Sequence, residues 1–171
     1  MRTPYRIAAL LMVYVMAPLD IVAQKGTGPS TKSVLFVCEH GTARSLIAKV
    51  LFEEYAAKVG LNMTAVSRGT KADSIMPPWM LKGLDNDHVV LGSWRPQTLQ
   101  SSDVANASFV VSFDLPTAAI VGATVPRVQW DSLPSVSRDY AIGRDAIKLR
   151  VHHLVDSLKQ ATAQKGKRSP S

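Results

Sequence analysis

Apolar residues fall along this chain in distinct rhythms, and each rhythm predicts a different element. Ser33 to Val37 is an unbroken apolar run rich in strand formers, the pattern of a strand covered on both faces. From Ser45 the period lengthens. Ala48, Leu51, Phe52, Tyr55, Ala56 and Val59 recur at helical spacing, and Gly60 stands where a left-handed residue would stop a helix. Asn62 to Ser67 reads as a second strand, closed by the turn-like Arg68-Gly69-Thr70. Strand, helix and strand in such short order predict a parallel βαβ unit. Pro77-Pro78 opens a further helix through Leu84. Ser101 to Ala105 reads as a short helix, Ser108 to Phe113 as a third strand and Val125 to Trp130 as a fourth. The last helix is expected from Asp139 to Gln160, with Ile147, Val151, Leu154, Val155 and Leu158 on its buried face. The alternation predicts an α/β fold, an open four-stranded parallel sheet with helices on both faces.

The first residues depart from this pattern. Arg2 and Arg6 precede the uncharged apolar stretch Ile7 to Leu19, and Ile21-Val-Ala23 has the small residues of a cleavage site. That layout predicts a secretory signal peptide over residues 1–23, and therefore an exported, periplasmic or secreted protein. A retained membrane anchor is the alternative, but spanning a bilayer takes about 20 apolar residues. Pro18 and Asp20 cut this run short. Residues 24–32 read as a flexible lead-in, 33–162 as one domain, and 163–171 as a disordered basic tail. With 171 residues, 46% of them hydrophobic, the chain can bury one ordinary core.

Charge narrows the partners. The formal net charge is +7, and loss of Arg2, Arg6 and Asp20 on cleavage would leave 18 basic against 12 acidic residues, or +6. A basic protein attracts anions. Basic and aromatic residues do not interleave as they would on a nucleic-acid surface. No metal-ligand spacing occurs, and no cofactor is called for. The expected partner is a small anionic substrate, a phosphate ester or arsenate, with membrane contact only if the N-terminal segment is retained.

The chain has one cysteine, Cys38, at the end of the first predicted strand. Glu39-His-Gly-Thr-Ala-Arg44 carries the chain into the first helix. In an open α/β sheet, ligands bind beyond the carboxyl ends of the strands. A tight loop there can turn successive N–H groups inward as an anion nest, and the helix N-terminus adds partial positive charge. Glu39, His40, Gly41, Thr42, Ala43, Arg44 and Ser45 are thus the candidate oxyanion-binding residues. Gly41 permits positive φ in mid-loop, Arg44 offers a planar fork for two oxygens, and Ser45 can cap the helix or donate to a nearby sulfur. The same groups favour a thiolate at Cys38, while Glu39 opposes it unless turned to solvent. The competing reading makes Cys38 a small apolar residue finishing a core strand.

The stretch VLFVCEHGTARSLIAKVLFEEYA resembles the opening of the low-molecular-weight protein tyrosine phosphatases and the thioredoxin-coupled arsenate reductases, with a strand, Cys-x5-Arg-Ser and a helix. The resemblance implies that Cys38 is the nucleophile, that Arg44 binds the oxyanion and stabilises the transition state, and that Ser45 stabilises the thiolate. The departures carry weight too. Gly41 replaces the usual Asn, and His40 stands where Gly is usual. No further cysteine exists, so an internal disulfide relay is ruled out and any reductase would need an external thiol or redoxin. In the phosphatases an Asp-Pro pair before the last helix supplies the general acid. Alignment on Pro134 puts Leu133 there, and Asp131 becomes the candidate acid, with a turn or capping role as its alternative. His152 and His153, adjacent on a helix, are expected at the surface, and the tryptophans are expected in packing, with Trp94 the one suited to wall a pocket. The expected activity is hydrolysis of a phosphotyrosine-type monoester through a cysteinyl phosphate. Its rivals are thiol-dependent arsenate reduction and oxyanion binding with little or no turnover.

Overall fold

The computed structural model describes residues 32–116, 120, 122 and 124–168. The segment expected to be a signal peptide or anchor, and nearly all of the expected lead-in, lie outside them. The elements in chain order are β1 (Ser33–Cys38), α1 (Arg44–Val59), β2 (Thr64–Gly69), α2 (Pro78–Asn86), α3 (Ser101–Asn106), β3 (Phe109–Phe113), β4 (Arg127–Trp130) and α4 (Tyr140–Arg168). All three strand pairings are parallel, in the order β2-β1-β3-β4. The expected four-stranded parallel sheet is thus the observed one.

The strand sequence explains the layering. Val34, Phe36 and Cys38 of β1 join one buried cluster with residues of α1, α2 and α4, while Leu35 and Val37 join another with Val104 and Ala107 at α3. Alternate side chains therefore meet cover on opposite faces, which is why β1 has no polar phase. Phe36 anchors the larger cluster, with ring centroids 5.9 Å from Phe52, 6.4 Å from Phe113 and 6.1 Å from Trp130. Phe113 and Trp130 meet edge to face at 5.4 Å, an arrangement aromatic quadrupoles favour.

Boundaries differ from expectation for identifiable reasons. Gly60 closes α1 in the left-handed conformation (φ 71°), and the Leu61 N–H reaches back to the Ala56 carbonyl at 2.8 Å. β4 begins only at Arg127, because Pro126 has no N–H for the ladder, although its carbonyl accepts from Val110 at 2.9 Å. The sequence predicts a last helix that stops near Gln160, with a disordered tail from 163. Instead α4 runs on to Arg168. Ala161, Ala163, Gln164 and Lys165 are good helix formers that need no packing partner to continue the turn.

The chain leaves β1 for β2 on one side of the sheet, and β3 lies on the other. This reversal is a switch point, where the loops beyond the carboxyl ends of neighbouring strands diverge and leave a crevice. Cys38 ends β1 at that point, in register with Gly69.

Candidate active site

The loop from Glu39 to Ala43 is held from outside by its carbonyls. The Cys38, Glu39 and His40 carbonyls accept from the N–H groups of Thr70 (3.0 Å), Lys71 (2.8 Å) and Asp73 (3.0 Å). Ser67 Oγ donates to the Gly41 carbonyl at 3.1 Å. In a trans peptide the N–H points opposite to the C=O. Pulling these four carbonyls outward therefore turns the N–H groups of Glu39, His40, Gly41 and Thr42 toward the inside of the loop. The Gly41 N–H makes the point directly, since it donates to Cys38 Sγ at 3.2 Å.

Glycine is required at the turn for two reasons. Gly41 has φ 72°, and a Cβ there would lie 2.8 Å from the Gly69 nitrogen. β2 and the loop touch backbone to backbone.

Cys38 is buried, as a core residue would be, but its sulfur does not face only aliphatic groups. Besides the Gly41 N–H, Ser45 Oγ lies 3.1 Å from Sγ. Ser67 Oγ, whose one proton serves the Gly41 carbonyl, also lies 3.0 Å from Ser45 Oγ. A thiolate at Cys38 carries no proton, so in that state Ser45 Oγ is the donor of the contact and favours the anion. Of the two roles the sequence allows Ser45, capping α1 or binding sulfur, the structure shows the second. It stands inside the first turn, where no side-chain cap bond forms. Ser67 escapes a reading of the sequence. Its only signal is a hydroxyl at an inward-facing, buried position of β2.

A cavity of about 610 Å³ opens over the sulfur. Its floor is Cys38 and its polar wall includes Glu39, His40, Thr42 and Arg44, while Pro77, Trp79, Leu133 and Val136 supply apolar wall. Gly41 and Ser45 act from beneath, through the sulfur, and Ala43 lines the edge. Glu39, the group set against a thiolate, is half exposed and pairs with Lys71 at 3.5 Å.

Two carboxylates that the sequence does not single out also line this cavity, Asp73 and Asp114. Asp114 directly follows β3, in the left-handed conformation (φ 49°), and pairs with Arg44. Asp73 accepts from Thr42 Oγ1 at 2.7 Å and faces His40 Nδ1 at 3.1 Å. The signal for Asp114 is its position, the first residue past a core strand at the sheet's carboxyl end.

Asp131 is not brought into this group. Its carboxylate oxygens accept from Gln129 Nε2 at 2.9 and 2.8 Å, and it is absent from the cavity lining, which Leu133 reaches instead. Trp130 turns into the core at the end of β4, so the next side chain leaves on the other side of the strand. Trp79, rather than Trp94, walls the cavity. His152 stacks on Tyr55 with centroids 3.9 Å apart, away from the sulfur. Among the described residues, no three His, Cys, Asp or Glu side chains gather as metal ligands would. No described helix is long and apolar enough to cross a membrane.

The family model described as low molecular weight phosphotyrosine protein phosphatase matches residues 33–128, more than half of the chain. The protein belongs to that family. No curated protein matches the chain in sequence. Among solved structures, a thioredoxin-dependent arsenate reductase from Corynebacterium glutamicum superposes with a TM-score of 0.64 at 21% identity, over 77% of this chain and 63% of that one. The present chain therefore spans under two thirds of that protein's length. A low molecular weight protein tyrosine phosphatase from Bacillus subtilis gives 0.62 at 22% identity, over 75% and 97%. An arginine phosphatase, in a mutant form with a phosphorylated active-site serine, gives 0.64 at 22% identity, over 75% and 96%. These superpositions establish a shared fold.

Proposed function

We propose that the chain is a cysteine-dependent phosphate-monoester hydrolase working through a phosphocysteine at Cys38. The observation that carries the reading is the sulfur at the floor of a ring of inward N–H groups, held by Gly41 and Ser45, with Arg44 on the same cavity. A phosphoryl group seated there places three oxygens on the amides and the guanidinium, and its phosphorus above the sulfur. The Cys38 thiolate attacks, the P–S bond forms, and the bond to the leaving oxygen breaks with its electron pair going to that oxygen. The N–H cradle and Arg44 stabilise the charge on the equatorial oxygens. Water then attacks phosphorus, the P–S bond breaks, and the electron pair returns to sulfur. Trp79, Pro77, Leu133 and Val136 at the wall suit a flat aryl leaving group of the phosphotyrosine type.

The test is hydrolysis of 4-nitrophenyl phosphate by wild type and Cys38→Ser. The variant is expected to fold, to bind phosphate, and to lose turnover. Turnover equal to wild type would overturn the reading. Arsenate-dependent consumption of an external thiol or redoxin, without phosphatase activity, would make the chain a reductase. Tight phosphate binding with neither activity would make it an oxyanion-binding protein.

A further inference from the structure

A monoester with a poor leaving group needs a proton as its P–O bond breaks, and the wall position aligned with the usual acid is Leu133. Among the described residues, six titratable side chains line the cavity: Cys38, Glu39, His40, Arg44, Asp73 and Asp114. Cys38 is the nucleophile, and an arginine has no proton to give. Asp114 is engaged by Arg44, and Glu39 by Lys71. Asp73 uses one oxygen to accept from Thr42 and turns the other to His40. That leaves His40, whose imidazole can give or take a proton at one ring nitrogen while the other is held.

The geometry points to a His40–Asp73 pair as the general acid and base of this site, with Asp73 holding the Nδ1–H and Nε2 carrying the exchanged proton. The inference rests on the phosphatase reading above. The two residues are tied twice, through the ring contact at 3.1 Å and through the Asp73 N–H on the His40 carbonyl at 3.0 Å. The 2.7 Å bond from Thr42 keeps the carboxylate from turning away. Such a carboxylate fixes the tautomer and orientation of a histidine, which is the work of a positioning residue.

Position in the cavity fits the role. In-line displacement sets the leaving oxygen opposite the nucleophile. Cys38 is 4% exposed at the floor, whereas the His40 side chain is 60% exposed at the mouth, where the leaving group departs. Glu39 Oε2 lies 3.8 Å from Nε2, too far for a short hydrogen bond that would trap the proton. Lys71 stands behind Glu39, Arg44 and Asp114 lie elsewhere on the same cavity, and the 133–137 wall contributes only Leu133, Ser135, Val136 and Ser137. In the first step the imidazolium Nε2–H gives its proton to the leaving oxygen as the P–O bond breaks, leaving neutral His40 and phosphocysteine. In the second, Nε2 takes a proton from the attacking water as the P–S bond breaks, and the imidazolium is restored.

The experiment compares wild type, His40→Gln and Asp73→Asn on 4-nitrophenyl phosphate and benzyl phosphate across pH 5–9. For His40→Gln, kcat/KM on benzyl phosphate is expected to fall about 10²–10⁴-fold, with 4-nitrophenyl phosphate much less affected, and the alkaline limb of the profile to vanish. Asp73→Asn is expected to lower kcat on benzyl phosphate by more than it changes KM, since the amide no longer fixes the tautomer and orientation of the ring. Equal losses on both substrates, or an unchanged pH profile, would overturn the pair. Acid-quenched mass spectrometry of Cys38 separates the two layers. Phosphocysteine in wild type with a flat leaving-group response sinks the His40 role alone, and no phosphocysteine in wild type sinks the phosphatase reading with it.

Discussion

Replacing Gly69 by alanine tests whether the anion cradle is set by the contact between β2 and the loop. A Cβ on Gly69 would lie 2.8 Å from the Gly41 nitrogen, 2.8 Å from the His40 carbonyl carbon and 2.9 Å from Ala72 Cα. All three are backbone atoms, so no side-chain rotation relieves the crowding. Reaching the ordinary contact distance of 3.4 Å from 2.8 Å takes 0.6 Å of movement. Gly69 cannot easily retreat, because its N–H donates to Gln97 at 3.0 Å and its carbonyl accepts from Leu99 at 2.8 Å. The loop is therefore expected to shift, and one of the two atoms pressed hardest is the nitrogen that donates to Cys38 Sγ. Overpacking of this kind costs about 1–3 kcal/mol, or roughly 3–12 °C in melting temperature for a domain of this size. Active constellations tolerate about 0.5 Å of error, and a shift near 1 Å can cost about 10²-fold. Calorimetric melting, phosphate titration and 4-nitrophenyl phosphate turnover are the assays. Gly60→Ala is the control, since its φ is 71° and a Cβ there meets nothing within 4 Å. It should lower the melting temperature through strain of about 1–2 kcal/mol and spare turnover. If Gly69→Ala melts lower yet binds phosphate and turns over like wild type, the cradle does not depend on this contact.

Ser45→Ala should slow alkylation of Cys38 by iodoacetamide at pH 6 by about 10–100-fold, because a hydrogen bond to a charged group is worth about 1.5–3 kcal/mol. Ser67 keeps the Gly41 carbonyl at 3.1 Å as an acceptor, so the effect belongs to the sulfur, and an unchanged rate would show that Ser45 does not hold the anion. Tyr140→Phe probes the α2–α4 contact, where the phenol donates to Asp87 at 2.8 Å. Burial, and then Asp87, push the Tyr140 phenol above its ordinary value of 10.0. The folded state holds that proton more tightly, so the contribution is complete below about pH 10 and fades as pH rises toward the folded value. Tyr140→Phe should lose about 1 kcal/mol at pH 7 and decline less steeply than wild type above pH 10 in denaturant titrations. Parallel declines would remove Tyr140 from the account.

The sheet was legible because its strands are buried on both faces or bounded by turn residues, so a continuous apolar run such as Ser33 to Val37 had one reading. Cys38, the loop and Arg44 were legible because they are contiguous, and a loop between strand and helix carries its geometry in local order. What surrounds them was not. Ser67 reaches Gly41 across 26 positions, Asp73 reaches Thr42 across 31, and Asp114 reaches Arg44 across 70. Such pairings follow from strand order and register, which periodicity does not specify. Asp131 shows the converse. Its nearness to Pro134 in sequence suggested the cavity, but the turn of Trp130 into the core sends the next side chain elsewhere.

These long-range partners also explain how a loop with glycine in place of the family's usual asparagine stays shaped for an anion. In this structure a side chain at position 41 would begin 2.8 Å from the Gly69 nitrogen. Here the bracing is external, from the Thr70, Lys71 and Asp73 amides, from Ser67 on the Gly41 carbonyl and from the packed backbone of Gly69. Each of these groups lies on β2 or the segment just after it. The cradle's shape is thus coupled to the docking of that one segment against β1, so a change that frays the end of β2 should weaken oxyanion binding before it unfolds the sheet.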